Sequence, residues 1–302
     1  MATALIRRIE GDVYFVPGEG KGGFPSCHGF LLKGHETVLI DTGMAETTIR
    51  ELDRQRRIDI LIITHSHPDH IRHGYLLEDR HILMPLETPD SITDLRLLGE
   101  RFLGNLEHGS IWAQFVHDEC GVRALRLPDG RFKDGDALTI GGAELEAIHA
   151  PGHLDDHYCF LERKTGTLIT TDIDLTFFGP WCGNPEADLE TFRKSIKKVM
   201  AVPYRRACSS HKEPIEGDAT EVFEAYLAGF ERQQRKILAL CESPITLDAI
   251  AAASPFFRDS FSEKLLQMLF EKRMALKHLT LMIQQGLVIE SNGLYRKVDR
   301  SP

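Results

Sequence analysis

Thr64-His65-Ser66-His67-Pro68-Asp69-His70 puts four residues with metal-binding side chains within six positions, directly after the apolar run Ile58-Asp59-Ile60-Leu61-Ile62-Ile63. The run predicts a buried strand, and the segment from Asp69 to Leu77 predicts a helix. A strand end followed by a helix start would hold His65 and His67 on the loop and Asp69 and His70 on the first turn. Nitrogen and carboxylate ligands without a thiolate suit zinc or a similar divalent ion, in a catalytic rather than a structural site. A solvated loop that happens to be His-rich is the alternative, and the H-x-H-x-D-H order argues against it.

Upstream, Val13-Tyr14-Phe15-Val16 and Phe30-Leu31-Leu32 predict strands around the glycine-rich stretch Pro17 to Pro25. That stretch lacks the order of a phosphate-binding loop, which leaves a flexible rim of a site or a long hairpin connection. Thr37-Val38-Leu39-Ile40 then runs into Asp41-Thr42-Gly43. A carboxylate at the end of a buried strand is costly unless partnered. Asp41 is a turn cap or, preferred, an acceptor that orients a metal ligand delivered by the next strand.

Downstream, Ile82 to Pro85 predicts a short strand and Pro89 to Val116 a long helical stretch, an insertion that could cap the site. From Val122 to Leu175 strands return, separated by turn signals. Glu144 to His149 leads to His153, Leu168 to Thr171 ends at Asp172, and Arg206 to Ser210 leads to His211, after a helix from Asp188 to Val202. The recurring pattern is an apolar strand that ends in a His or Asp, and strand ends along one edge are where α/β enzymes assemble sites. His157 is either a structural hydrogen bond across its turn or support for the site, and Asp155-Asp156 is expected to be a solvated turn. Phe177, Phe178 and Trp181, just after Asp172, are a candidate substrate-pocket wall, with ordinary packing as the competing reading.

From about Thr220 the strand signals stop. Helices are expected over Glu221–Cys241, Thr246–Ala253, Ser262–Phe270 and Glu271–Gln285, then a hairpin turning on Asn292-Gly293. This looks like a winged-helix-like unit, so the expected domains are residues 1–218, catalytic, and 219–302, helical.

Collected, Asp41, His65, His67, Asp69, His70, His153, Asp172 and His211 resemble the site of the metallo-β-lactamase superfamily of metallohydrolases, in the family's order over roughly residues 8 to 215. The resemblance implies an α/β fold, a four-layered αβ/βα sandwich with the site along the shared edge of two sheets. It implies that His65, His67 and His153 hold one metal ion, that Asp69, His70 and His211 hold a second, and that Asp172 bridges them. Asp41 matches the family's aspartate behind the ligands. The filled second set favours two ions, zinc before iron or manganese. Asp69 stands where flavodiiron relatives carry glutamate, which favours a hydrolase over an oxygen-reducing enzyme. Two departures are Thr171, where glycine is common, and His73, in a stretch of small residues. Asp174 is close enough to compete with Asp172 as the bridge.

Two divalent ions about 3.5–4 Å apart would generate a hydroxide nucleophile at neutral pH. The catalytic residues are then Asp172 and, as a proton carrier, Asp69. The expected substrate is a small molecule with an ester-like bond, a thioester or lactone, as for glyoxalase II-like enzymes and lactonases of the family. The alternative is a single-strand endoribonuclease or nucleic-acid-binding protein of the same fold.

With 302 residues, 42% hydrophobic and 27% charged, the chain is long enough for a large core. Its net charge of −9 argues against a generic nucleic-acid or anionic-membrane surface. Residues 219–302 hold 11 Lys/Arg against 10 Asp/Glu, so the tail is near neutral and lacks the concentrated basic face that phosphate binding needs. A cover over the substrate entrance or a homodimer contact is preferred for it. Six scattered cysteines without a C-x-x-C pair fit reduced thiols, and the start lacks the apolar core of a signal peptide. A cytoplasmic location with no membrane partner is the expectation.

Overall fold

The structure is a computed structural model and describes residues 6–258 and 262–298. Two mixed sheets face one another. The first runs in chain order: β1 (Arg7–Glu10), β2 (Val13–Val16), β3 (Gly29–Lys33), β4 (Thr37–Ile40), β5 (Ile60–Ile62), β6 (His81–Pro85) and β7 (Gly130–Phe132). The second joins β8 (Ala137–Ile140), β9 (Ala143–His149), β10 (Tyr158–Glu162), β11 (Thr167–Thr171), β12 (Arg206–Ser209) and β13 (Ile215–Glu216).

Strand parity sorts the side chains into layers, because successive residues of a strand point to opposite faces. Phe30 and Leu32 of β3, with Tyr158 and Phe160 of β10, fill the core between the sheets. Their neighbours point outward: Leu31 joins the cluster under α1 (Glu46–Gln55), α3 (Leu95–Leu103) and α4 (Leu106–Asp118). Cys159 and Leu161 join the cluster under α5 (Leu189–Met200) and α6 (Thr220–Leu240). Helix, sheet, sheet and helix make the four layers that the family resemblance implied.

The predicted helix after the histidine motif is only one turn, α2 (Pro68–Ile71), followed by a 3-10 turn at Gly74–Leu77. Pro68 opens α2 where its missing N–H costs nothing. The long helical insertion is split into α3 and α4: Gly104 closes α3 at φ 80°, and the Asn105 side chain caps α4 by accepting from the His108 N–H.

At the C-terminal end, α7 (Leu247–Ala252) and α8 (Lys264–Gln284) pack with a small sheet of β14 (Ile245–Thr246), β15 (Val288–Ser291) and β16 (Leu294–Lys297). Two helices expected between residues 262 and 285 form the single α8, and the β15–β16 turn places both Asn292 and Gly293 at positive φ, as a tight hairpin requires. Helix α6 serves two cores: Phe223, Tyr226 and Phe230 pack under the second sheet, whereas Ile237, with Cys241 just past its end, packs with α7 and α8. Helix α8 likewise sends Leu266 and Phe270 into the cluster of the first sheet. All six cysteines are buried free thiols, and no helix among the described residues is long and apolar enough to cross a membrane.

Candidate metal centre

Parallel pairing aligns the strand ends that carry the chemistry. Ile40 of β4 pairs with Ile62 of β5, so Asp41 and Thr64 emerge side by side, and β11 pairs parallel with β12, which brings Asp172 and His211 to the same edge. Close backbone packing keeps the strand ends together. A Cβ on Gly43 would lie 2.1 Å from the Asp69 carbonyl oxygen, and Gly152, at φ 111°, leaves no room for one against α5. Asp41 and Thr171 both take left-handed backbone conformations, φ 60° and 47°. The glycine-like geometry at Thr171 explains why glycine suits the residue before Asp172, and non-glycine residues in this region concentrate at functional sites.

The structure brings all seven predicted ligand residues together. On one side of Asp172, its Oδ2 lies 3.5 Å from His65 Nε2, 4.0 Å from His67 Nδ1 and 3.2 Å from His153 Nε2. On the other, Oδ1 lies 2.9 Å from His70 Nε2 and 3.2 Å from His211 Nε2. The Asp69 Oδ2 is 3.4 Å from His211 Nε2 and 3.9 Å from His70 Nε2. His65, His67, His153 and Asp172 therefore form one cradle, and Asp69, His70 and His211 another, with Asp172 facing both. Asp174 stays outside: its carboxylate accepts from the Thr176 N–H, 2.8 Å away.

These residues fit divalent ions. Donors held tetrahedrally at about 2.0–2.1 Å stand about 3.3 Å from one another. In the first cradle His67 Nδ1 lies 3.1 and 2.8 Å from the His65 and His153 nitrogens, Asp172 Oδ2 lies 3.2–4.0 Å from all three, and all four atoms lie within 4.8 Å of one another. His70 Nε2 and Asp172 Oδ1 lie 2.9 Å apart, buried, yet neither makes a properly directed hydrogen bond, an arrangement that a cation held by both would resolve. Burial, reinforced by neighbouring imidazoles, holds His67 down at about 3 and His65 well below its ordinary value, so both offer lone pairs at neutral pH. Burial pulls His211 down as well, but the Asp172, Asp69 and Asp174 carboxylates outweigh it and lift the imidazole to about 9.

Each imidazole is held at its far nitrogen, which fixes both ring orientation and tautomer. His70 Nδ1 lies 2.7 Å from Asp41 Oδ2, and Asp41 Oδ1 accepts from the Thr64 N–H at 2.9 Å. The Thr64 hydroxyl, which donates to Asp41, is 3.1 Å from His65 Nδ1. His153 Nδ1 donates to the Trp181 carbonyl at 3.0 Å, and His211 Nδ1 to the Gly22 carbonyl at 2.5 Å, so the glycine-rich loop does reach the site. His157 donates from Nδ1 to the Ala150 carbonyl and accepts the Asp172 N–H at 3.2 Å, which fixes the backbone that carries the central carboxylate. The His73 ring bonds through Nδ1 to the Met44 carbonyl, away from the cluster.

Sequence reasoning missed two supports. The Asn184 amide lies 2.7 Å from His67 Nε2. Asp156, expected in a solvated turn, is fully buried while Asp155 is exposed. Asp156 accepts from the Ser66 N–H and the Thr88 hydroxyl and pairs at 3.1 Å with Arg101 of α3, which also reaches Ser66 Oγ and Glu186. Desolvation opposes ionisation of Asp156, but Arg101 and these donors hold its carboxyl below the usual range. Only tertiary contact reveals this network, because its members lie up to 120 positions apart: Ser66 and Glu186 meet through Arg101.

The aromatic run divides. Trp181 lies against His67 and His153, with ring centroids 5.2 and 5.7 Å away. Phe177 is 88% exposed and pairs with Arg232, and Phe178 lies on Phe257. The structure brings Trp181 to the cluster and turns Phe177 and Phe178 elsewhere.

Comparison with known proteins agrees with this geometry. The family model described as the metallo-beta-lactamase superfamily matches residues 22–211. An uncharacterized protein of Aquifex aeolicus is 28% identical over 56% of this chain and 74% of its own length. A hydroxyacylglutathione hydrolase of Chelativorans sp. is 24% identical over 76% of this chain and 82% of its own. An atrochrysone carboxyl ACP thioesterase of Aspergillus fumigatus is 30% identical over 68% of this chain, which spans 57% of that longer protein. In fold, a metallo-beta-lactamase family protein from Thermus thermophilus superposes with a TM-score of 0.73 at 20% identity, over 95% of this chain and 99% of that one. With the matched residues running from the glycine-rich loop to His211, this chain belongs to the metallo-beta-lactamase superfamily.

Proposed function

We propose that this protein is a dinuclear metal-dependent hydrolase of a small ester-like bond, a thioester, a lactone or a related carbonyl derivative. The observation that carries the reading is Asp172, whose two oxygens face two different sets of imidazoles. His65, His67 and His153 hold one ion, Asp69, His70 and His211 the second, and zinc suits this nitrogen and carboxylate set. Bound there, divalent ions supply a water of lowered pKa and a Lewis acid for the carbonyl.

The chain's own residues do the rest. Asp172 keeps the two cradles in register, and its backbone is pinned by His157. Asp69, buried with Oδ2 3.4 Å from His211 Nε2, is placed to carry a proton there. The half-buried Trp181 ring, against His67, gives an apolar surface suited to an acyl group. Asp69 and Asp172 both face imidazoles. Two relatives bear the names of a hydrolase and a thioesterase, which supports the same class. The C-terminal unit, taken from residue 219 and winged-helix-like in element order, serves on this reading as a cover rather than a nucleic-acid reader, inside a cytoplasmic enzyme.

The test is metal analysis of the purified protein coupled to a panel of thioesters, lactones and esters. Turnover should disappear with chelator, return with zinc, and fall at least about 100-fold in Asp172→Ala, beyond the usual cost of losing an outer partner. Metal-loaded protein that cleaves nothing in the panel, or an Asp172→Ala variant as active as the parent, would sink the proposal.

A further inference from the structure

His67 differs from its neighbours in one respect. His65, His70, His153 and His211 turn Nε2 toward the cluster, whereas His67 turns Nδ1, which lies 3.1 Å from His65 Nε2 and 2.8 Å from His153 Nε2. A neutral imidazole has one lone pair and one N–H, and the partner at the far nitrogen decides which is which. For His65, His70, His153 and His211 that partner is a hydroxyl, carboxylate or carbonyl oxygen. For His67 it is the carboxamide of Asn184, itself 1% exposed, whose Nδ2 end lies 2.7 Å from Nε2. The oxygen and nitrogen ends of a carboxamide occupy the same space, and the hydrogen-bond network decides between them. With Nδ2 there, His67 Nε2 would have to accept and Nδ1 would carry the proton; only with the amide turned so that Oδ1 takes the place of Nδ2 can His67 Nε2 donate and Nδ1 present its lone pair to the first cradle.

Asn184 is held from the C-terminal side. The Arg273 guanidinium of α8 donates to the Phe102 and Leu103 carbonyls at 2.6 and 2.9 Å and reaches the Gly183 carbonyl at 3.5 Å. Lys277 donates to the Pro185 and Ala187 carbonyls, and Gln233 of α6 donates to those of Phe178 and Pro180. Phe270 packs on Trp181, whose carbonyl holds His153. One loop, 178–187, thus supplies the outer partners of two imidazoles and is clamped by two C-terminal helices.

We infer that Asn184 is a positioning residue that fixes the tautomer of His67 through its amide oxygen, and that α8, acting through Arg273, holds it in place. This rests on the metal-centre reading above. The C-terminal helices are then a structural part of the first metal cradle.

The experiment is zinc titration of the full-length apoprotein against a chromophoric chelator, which reads affinity and stoichiometry without substrate. Asn184→Leu keeps the volume and removes both polar ends; it should weaken one of two zinc equivalents by about 10–100-fold and leave the other nearly unchanged. Asn184→Asp restores an acceptor and should bind within about threefold of the parent or more tightly. Arg273→Met should weaken the same equivalent as Asn184→Leu, whereas Lys272→Met, which removes an ion pair from α8 to Asp248 of α7, should leave both equivalents at parental affinity. Parental affinity in Asn184→Leu, or equal weakening in Asn184→Asp, overturns the tautomer role. Parental affinity in Arg273→Met, or equal weakening in Lys272→Met, overturns the role of α8. A parent protein that binds no zinc overturns the proposed function instead.

Discussion

Asp41 Oδ2 lies 2.7 Å from His70 Nδ1, and the same ring presents Nε2 to Asp172 at 2.9 Å, so one imidazole links a strand-end carboxylate to the central one. Asp41 also receives the Thr64 N–H and hydroxyl, which ties the start of the histidine motif to the end of β4. Replacing it with Asn keeps the shape and tolerates its left-handed backbone, which Ala would not. Asp41→Asn should cost about 10–100-fold in zinc affinity with the circular dichroism spectrum unchanged. Parental affinity would mean that the carboxylate is only a turn cap.

Thr171 combines strain with two compensating contacts. Its φ of 47° is unfavourable for a β-branched residue, but its hydroxyl, with one proton to share, lies 2.7 Å from His157 Nε2 and 2.8 Å from the Tyr158 carbonyl, both acceptors. Thr171→Val keeps the strain and removes both contacts, and should destabilise by about 1–3 kcal/mol in urea unfolding. Thr171→Gly loses the contacts but relieves about 1–2 kcal/mol of strain, so it should be the milder change. The reverse order would show that packing of the γ-methyl, not backbone geometry, decides at this position.

The Arg101–Asp156 pair is a buried ion pair under the metal loop, with Asp156 fully buried and Arg101 satisfied by Ser66 and Glu186. Breaking one side leaves an unpaired buried charge, so Arg101→Met should cost about 3–5 kcal/mol. Adding Asp156→Asn removes that charge and should recover part of the loss. Additive single effects in the double-mutant cycle would show that the two groups do not interact.

Much of the site was legible because chain-local rules place it. Apolar runs mark the strands, parallel neighbours align their ends, and the residue just past each end is the one that faces the site. That logic finds Asp41, His65, Asp172 and His211 without any tertiary information. Asn184, Arg101 and Asp156 escape it, because their roles depend on which loop lies against which, and nothing in Gly183-Asn184-Pro185 beyond a turn signal marks a partner for His67. Phe177 shows the opposite failure: an aromatic residue beside the site in sequence faces Arg232 in space. The helical insertion was legible as helix but not as two helices, since the glycine cap at Gly104 resembles any helical glycine until its φ is known.

His278 gives a pH signature away from the metal centre. It is buried in α8, stacked on Phe256, and its Nε2 lies 3.2 Å from Gln233 Oε1. Burial, with Arg193 nearby, lowers its pKa from 6.5 to about 3. Between these values the unfolded chain binds a proton at His278 that the folded chain does not, so stability rises with pH. The full contribution is present above pH 6.5 and is lost as pH falls toward 3, by at most about 1.4 kcal/mol per unit. In His278→Phe, which keeps the stacking and removes the titrating group, the pH dependence of urea unfolding between about pH 6.5 and 4.5 should be flatter than in the parent. The buried His28, His67 and His157 are also lowered by desolvation, so a residual slope of the same sign should survive in the variant. Identical slopes in variant and parent would show that His278 is not kept neutral by its surroundings.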